Sequence, residues 1–381
     1  MLKIQGLDIN KINGIGNLKI QFNPFLNIIC GANGVGKTTI LECIHDALKS
    51  NERINIRLKK NLVWGKSGYY IYGESDFGNY FKERDLDIEK RYVDGKTGKE
   101  FLYFNIFRTQ YNNFWGNKFT YVVNWFGKNY LKENLDVSEY DDLRLAIQCF
   151  NKLDSSIKFS RVKVKDNIRK GNYVTHRNNI PNFEILVETI DGELNLTDLS
   201  SGYLSCLIIF LEIIKKATEC GSFNKNINEF DGVILIDEID LHLHPEWQKK
   251  VLDILRWLVP NAQIIVTTHS PHIVQSAERG EVISIKNVSG NCEAIVHKSN
   301  SNYGYQGWTI EEILEDVMGL KSTRSTLYSE LVSNIEHAID TLDGKSAELY
   351  LNKLKIFLHP NNPIGKILSL QVASIRGYKY D

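Results

Sequence analysis

The chain has 381 residues, of which 43% are hydrophobic and 24% charged, the composition of an ordinary globular protein. Lysine plus arginine and aspartate plus glutamate both number 46, so the overall charge gives no sign of a polyanionic partner. The sequence opens without a basic and apolar leader and holds no run of about 18 apolar residues, so we expect a cytoplasmic protein without membrane contact. The scattered cysteines indicate neither a zinc knuckle nor a disulfide framework.

The first third of the chain predicts strands around one helix. Residues 2–9 and 18–30 are strand-like, and the second stretch ends in an apolar run before a glycine-rich turn. A helix is predicted from about residue 37 to 49. Short aromatic-rich stretches between 51 and 107, broken by glycine, asparagine and aspartate, predict antiparallel strands.

The middle of the chain is mixed, with helical character at 108–156, alternation at 157–164 and 183–190, and a helical pattern at 203–216.

The apolar runs 233–236 and 263–266 are typical of buried parallel strands, and a helix between them is predicted to begin near Pro245. Residues 305–376 have helical periodicity, with a break between helices where two prolines fall.

The strongest motif is a P-loop, which matches GxxxxGK[ST] and lies between a predicted strand and a predicted helix. Its glycines let backbone N–H groups surround phosphate oxygens, and the helix N-terminus favours negative charge. We expect Lys37 to reach the terminal phosphates of ATP and the Thr38 hydroxyl to bind Mg²⁺. The predicted nucleotide-binding residues of the P-loop are Gly31, Asn33, Gly34, Val35, Gly36, Lys37, Thr38 and Thr39.

Two acids follow the apolar run at 233–236. In a P-loop protein we expect Asp237 to hold Mg²⁺ and Glu238 to orient and deprotonate the attacking water. Two acids at a strand end could also be solvated caps, but the upstream P-loop favours the magnesium interpretation.

Three further motifs resemble those of ABC ATPases and follow the order of that family. The segment 199–203, LSSGY, resembles the signature, 239–241 resembles the D-loop, and 267–270 resembles the switch-histidine turn. The segments 236–248 and 264–274 resemble those of a group of AAA-type ATPases. That group includes the OLD proteins and the PtuA-type ATPases of Septu and retron phage-defence systems. The tail segment 307–319 resembles PtuA-type ATPases as well.

The resemblance implies an α/β fold: an ABC-type P-loop ATPase head with a mixed central sheet, an antiparallel β-subdomain, a helical insertion and a helical C-terminal extension. Residues 1–107 would form the first ATPase lobe and 108–190 an inserted helical and β region. Residues 191–290 would form the second lobe, with the signature, acidic strand, D-loop and switch histidine, and 291–381 a mainly helical extension.

The resemblance also implies a homodimer or larger homo-oligomer that sandwiches ATP and Mg²⁺ between subunits. ATP on Lys37 of one subunit would be capped by the signature of another, His269 would sense the γ-phosphate, and Asp240 would tie the opposed subunits together. The residues implied for the capping signature are Ser200, Ser201 and Gly202.

Two positions depart from the family pattern or leave it open. Asn13 stands where many relatives carry an arginine that touches the phosphates, and Lys11 is a possible substitute. Gln110 falls where a Q-loop glutamine would contact the metal, but a surface residue there is equally compatible with the sequence.

Other clusters have plainer interpretations. The spacing of His242 and His244 would suit two metal ligands, but the sequence shows no third ligand. The acids at 311–316 predict a helix face that is exposed to solvent. The basic stretches 53–60 and 161–165 are typical of strands at the edge of a sheet. The alternative is a surface whose basic side chains bind the phosphate backbone of DNA or RNA.

No Toprim or HNH pattern is visible. We therefore expect an ATPase that acts as sensor or scaffold for a separate effector, such as a PtuB-like HNH nuclease, with a retron RNA/DNA complex as a further candidate partner. The alternatives are a DNA-repair ATPase of the RecF or SMC kind and the nucleotide-binding subunit of a transporter.

Overall fold

A computed structural model describes residues 2–48, 68–75, 78–85, 90–94, 101–104, 115–164, 183–219, 227–288, 291–296 and 302–377. The chain divides into two compact units, Met1–Gly319 and Leu320–Asp381. Among the helices described, none has the length and apolar content needed to cross a membrane.

The strands in the described part of the chain belong to three sheets. They are β1 Leu2–Ile12, β2 Ile15–Gln21, β3 Leu26–Gly31, β4 Gly68–Ser75, β5 Gly78–Asp85, β6 Lys90–Asp94, β7 Phe101–Phe104, β8 Lys158–Val164, β9 Phe183–Thr189, β10 Gly192–Asn195, β11 Val233–Ile236, β12 Gln263–Thr267, β13 Val282–Val288 and β14 Asn291–Val296.

The helices surround these sheets or form the second unit. They are α1 Lys37–Leu48, α2 Trp115–Tyr130, α3 Val137–Leu153, α4 Ser201–Glu219, α5 Pro245–Leu258, α6 Pro271–Gln275, α7 Ile310–Glu312, α8 Thr326–Asp340, α9 Gly344–Phe357 and α10 Pro363–Gly377. A π-helical turn, Ile313–Val317, continues α7.

The central sheet has the order β14-β13-β3-β12-β11-β7, with every neighbouring pair parallel except β14–β13. Side chains alternate between its faces, so Ile264 and Val266 enter one hydrophobic core while Ile265, between them, enters the other. Burial on both faces explains why these strands are continuously apolar. The predicted mixed central sheet is confirmed.

A second, antiparallel sheet has the order β2-β1-β4-β5-β6 and shares a core with α1. It confirms the predicted antiparallel β-subdomain. The single strand expected at residues 18–30 is wrong, because β2 ends at Gln21 in this sheet and β3 begins at Leu26 in the central sheet. Asn27 explains the break: its side chain accepts from the N–H of Asn23 at 2.7 Å and donates to the Asn23 carbonyl at 2.8 Å.

The third sheet, β10-β9-β8, packs with α2 and α3. Phe126, Phe150 and Phe159 meet there with ring centroids 5.3–5.8 Å apart. Helices α2 and α3 and strands β8 and β9 lie within the range 108–190 predicted for the inserted helical and β region, and β10 lies just beyond it.

The second unit is helical. Its core is formed by residues of α8, α9 and α10, including Ile335, Leu351, Leu354 and Leu368. Helix α9 ends before the two prolines and α10 begins at Pro363, which confirms the break expected there.

Candidate functional site

The P-loop joins β3 to α1 at the carboxyl edge of the central sheet. At Gly31, with φ of +145°, a Cβ would overlap the backbone carbonyl of Ile285. At Gly36, with φ of +96°, a Cβ would lie 2.6 Å from the side chain of Ile15. Only glycine fits this left-handed and crowded backbone, which leaves the tip of the turn, including Asn33 and Gly34, exposed to solvent.

Lys37 begins α1 and turns back into the P-loop. Its Nζ donates hydrogen bonds of 2.9 Å to the carbonyls of Gly31 and Ala32. Burial lowers the pKa of the Lys37 ammonium, and the nearby carboxylates of Glu238 and Asp237 partly oppose that shift. The structure thus brings the predicted lysine and both predicted acids into one electrostatic neighbourhood.

Two hydroxyl groups converge on the carboxylate of Asp237. Its Oδ1 accepts from the Thr38 hydroxyl at 3.3 Å and from the Thr267 hydroxyl at 2.5 Å. A threonine hydroxyl beside a carboxylate is the hard oxygen set that Mg²⁺ prefers, so these residues fit the ion. Gln110, the other predicted metal contact, lies outside the described residues.

Thr267 belongs to the segment predicted as the switch-histidine turn, but no role of its own was predicted for it from the sequence. It is fully buried at the end of β12, and its hydroxyl oxygen also accepts the N–H of Glu238 at 2.7 Å. One hydroxyl therefore fixes the carboxylate of Asp237 and the backbone of Glu238 together. The signal in the sequence was a hydroxyl residue closing an otherwise apolar strand.

Glu238 is half-buried and has φ of +46°, a left-handed conformation that is costly for a residue with a Cβ. Besides the bond to Thr267, the turn is held by the N–H of Ile239, which donates to the Thr267 carbonyl at 3.0 Å. The strained backbone lies at the position predicted for the catalytic base.

The switch-histidine turn is tied to the D-loop within the same chain. Asp240 Oδ1 accepts from the Thr268 hydroxyl at 2.6 Å and from the N–H of His269 at 3.2 Å. Burial lowers the pKa of His269, and the positive charge of Lys37 lowers it further. His269 and Asp240 therefore join the same cluster as Lys37 and the two acids.

The signature lies at the start of α4, a different element from those that carry this cluster of charges. Ser200 and Ser201 are exposed, and Ser200 Oγ caps the helix by accepting from the N–H of Tyr203 at 3.3 Å. Gly202 is buried against the backbone of His242, in the D-loop turn formed by residues 239–243. The two serines are thus presented to solvent at a helix N-terminus.

The hairpin between β1 and β2 approaches the P-loop helix. Lys11 and Asn13 both have positive φ, 53° and 46°, and Asn13 Nδ2 lies 3.5 Å from the Thr39 hydroxyl. Asn13 therefore contacts the predicted nucleotide-binding segment.

The other residues considered from the sequence have structural roles where the structure describes them. His244 caps α5 by accepting the N–H of Glu246 on Nδ1 at 3.4 Å. Arg161 forms an ion pair of 2.7 Å with Glu193 across the third sheet. Glu312 forms a capping box with Thr309. The basic stretch 53–60 lies outside the described residues.

The fold and this cluster define a P-loop protein with the fold of an ABC-type ATPase head. Among solved structures, the SMC head bound to the C-terminal winged-helix domain of ScpA is similar, with a TM-score of 0.53, 15% identity and coverage of 78% of this chain and 98% of that one. That likeness supports the fold alone.

Comparison with known sequences identifies the family of the chain, which the fold alone does not. The family described as "AAA domain, putative AbiEii toxin, Type IV TA system" matches residues 26–275. The chain is 35% identical to the Septu protein PtuA of Bacillus thuringiensis over 98% of both proteins. It is 34% identical to the retron Ec83 probable ATPase of Escherichia coli, over 27% of this chain and 19% of that protein. The chain belongs to the Septu PtuA family of AAA-domain proteins.

Proposed function

We propose that the protein binds ATP with Mg²⁺ and hydrolyses it to ADP and phosphate in sites shared by two subunits. The observation that carries this proposal is the convergence of Lys37, Asp237, Glu238 and His269 on one edge of the sheet, while the signature serines face solvent on another element. One chain thus carries two complementary halves of a site. A second copy of the chain supplies the missing half.

Each residue has a role that its surroundings support. Lys37 holds the terminal phosphates once ATP replaces the carbonyls of Gly31 and Ala32 as its acceptors. Thr38 and Asp237 hold Mg²⁺, which when bound neutralises phosphate charge. Glu238 accepts a proton from the attacking water, and His269 contacts the γ-phosphate.

Across the interface, Ser201 and the N-terminus of α4 meet the γ-phosphate of the neighbouring subunit, because free N–H groups at a helix N-terminus stabilise an anion. Loss of the γ-phosphate weakens this contact, so hydrolysis loosens the assembly. ATP therefore controls association between subunits.

We further propose that the protein acts in phage defence and controls a separate effector, a PtuB-like HNH nuclease. The support is the match to a Septu PtuA protein over nearly its entire length, together with the similarity to a retron ATPase. The ATPase would change its association with nucleotide and pass that change to the effector.

Purification of the tagged protein from its native host, with and without ATP, tests the defence role. Native mass spectrometry should find an ATP-dependent assembly containing a nuclease chain. Co-purification of DNA-end-loading proteins in place of a nuclease would favour the DNA-repair alternative, and a membrane permease would favour the transporter alternative. Either result would contradict the proposed role.

A further inference from the structure

Gln248, in the first turn of α5, bridges the switch-histidine turn and the D-loop turn. Its Oε1 accepts from the Ser270 hydroxyl at 2.6 Å, and its Nε2 donates to the Leu243 carbonyl at 2.9 Å. The amide thus uses its acceptor toward one turn and its donor toward the other. Only a side chain with both groups at this length can make the bridge.

The Ser270 end of the bridge is fixed next to the predicted γ-phosphate sensor. Ser270 follows His269 directly and is buried. Its N–H donates to the Thr268 hydroxyl at 2.9 Å, and its own hydroxyl caps α6 by accepting the N–H of His272 at 3.1 Å. A displacement of the His269 backbone is therefore transmitted to the group that Gln248 holds.

The Leu243 end supports the signature. Leu243 is buried, and its Cα lies 3.5 Å from the position that a Cβ on Gly202 would occupy. The preceding residue, His242, has φ of +64° and packs its carbonyl against Gly202. The segment that Gln248 anchors is the one on which the start of α4 rests.

We propose that Gln248 is a positioning residue that sets the signature serines for the nucleotide of the opposite subunit and couples them to the His269 turn. It does so through Ser270 and Leu243 and contacts no nucleotide itself. This assignment rests on the proposed composite ATP site. The first turn of α5 thus connects the signature of each subunit with the switch-histidine turn of the same subunit.

Gln248→Leu removes both hydrogen bonds, and Gln275→Leu is a matched control. Gln275 lies in α6, is similarly half-buried and donates to the Trp308 carbonyl at 2.8 Å, a hydrogen bond that takes no part in the bridge. We expect Gln248→Leu to keep the affinity for a fluorescent ATP analogue within about twofold and to weaken ATP-dependent self-association roughly 10- to 100-fold, the equivalent of two hydrogen bonds. The control should change neither quantity.

Self-association is measured by analytical ultracentrifugation in the Glu238→Gln background. Equal association of the two leucine variants would overturn the proposal, as would a parallel loss of nucleotide affinity in Gln248→Leu. If the parent Glu238→Gln protein itself shows no ATP-dependent association, the proposed composite ATP site is wrong. Failure of the composite site is thus distinguishable from failure of the role proposed for Gln248.

A mixing experiment separates action on the opposite site from damage to the subunit's own site. Lys37→Ala keeps an intact Gln248 and signature but cannot hold ATP. When mixed with Gln248→Leu, it should restore ATP hydrolysis, because the intact signature then caps the ATP held by the Gln248→Leu subunit. Hydrolysis no higher than that of the separate variants, in a mixture shown by pull-down to form mixed assemblies, would overturn the proposal.

Discussion

Gly202 of the signature and His242 of the D-loop turn lie in backbone contact: a Cβ on residue 202 would overlap the His242 carbonyl oxygen. The start of α4 can approach the D-loop turn this closely only because residue 202 has no side chain. Two motifs far apart in the sequence are thereby held in direct contact beside the exposed Ser201.

Gly202→Ala should separate these two elements. We expect a loss of folding stability of about 1–3 kcal/mol, measured by urea denaturation, because the added methyl overpacks a buried contact. Nucleotide binding to the P-loop should persist while ATP-dependent association falls. Gly307→Ala, where a Cβ meets open space, is the control. Equal stability of the two variants would argue against the contact.

Lys37→Ala should abolish ATP binding, since it removes the buried cation at the base of the P-loop. Equilibrium binding of a fluorescent ATP analogue measures this directly, and unaltered affinity would contradict the role of Lys37.

Glu238→Gln should keep ATP binding and slow hydrolysis about 10²- to 10⁴-fold, because the amide cannot accept the proton of the attacking water. The stalled protein should accumulate in its associated form. Phosphate release at the normal rate would show that another group is the base.

Thr267→Val keeps the shape of the side chain but deprives Asp237 of a donor and the Glu238 N–H of its acceptor. We expect half-maximal hydrolysis to require more Mg²⁺ and kcat to fall by about tenfold, the equivalent of one hydrogen bond. Thr267→Ser should restore both. Steady-state kinetics at varied Mg²⁺ checks this. A wild-type Mg²⁺ requirement and kcat in the valine variant would contradict the role of the Thr267 hydroxyl.

His269 should titrate below the ordinary histidine value of 6.5, because burial and the charge of Lys37 both favour the neutral ring. Its contribution to folding stability is thus present above the unfolded pKa and lost as the pH falls through the folded pKa. NMR of protein with ¹³C-labelled histidine measures the folded pKa, and His269→Gln assigns its signal among the nine histidines. A midpoint above 6.5 would contradict the structure.

Much of the site could be predicted from the sequence because its chemistry depends on local order. The P-loop lies between a strand and a helix, and the acids follow a buried apolar run, so the positions of Lys37, Asp237 and Glu238 follow from secondary structure alone. The buried parallel strands follow similarly from continuous apolar runs, whereas the mixed sheet was implied by the family resemblance.

Contacts between distant segments could not be predicted. Thr267 and Gln248 act through hydrogen bonds to residues 5 to 30 positions away, and no periodic pattern marks such partners. The break at residues 22–25 depends on the bonds of Asn27 to Asn23, which a run of strand-like residues conceals. For Thr267 the decisive information is tertiary, whereas the Asn23–Asn27 bonds are local and leave the strand-like pattern unchanged.

The most direct test of a site shared between subunits mixes two inactive variants. Lys37→Ala lacks a working P-loop, and Ser201→Arg lacks a working signature. Each should be inactive alone, whereas an equimolar mixture should recover roughly a quarter of wild-type ATP hydrolysis, since half of the random dimers contain one complete site of two. A mixture that forms mixed dimers by pull-down yet stays as inactive as its parts would contradict the account.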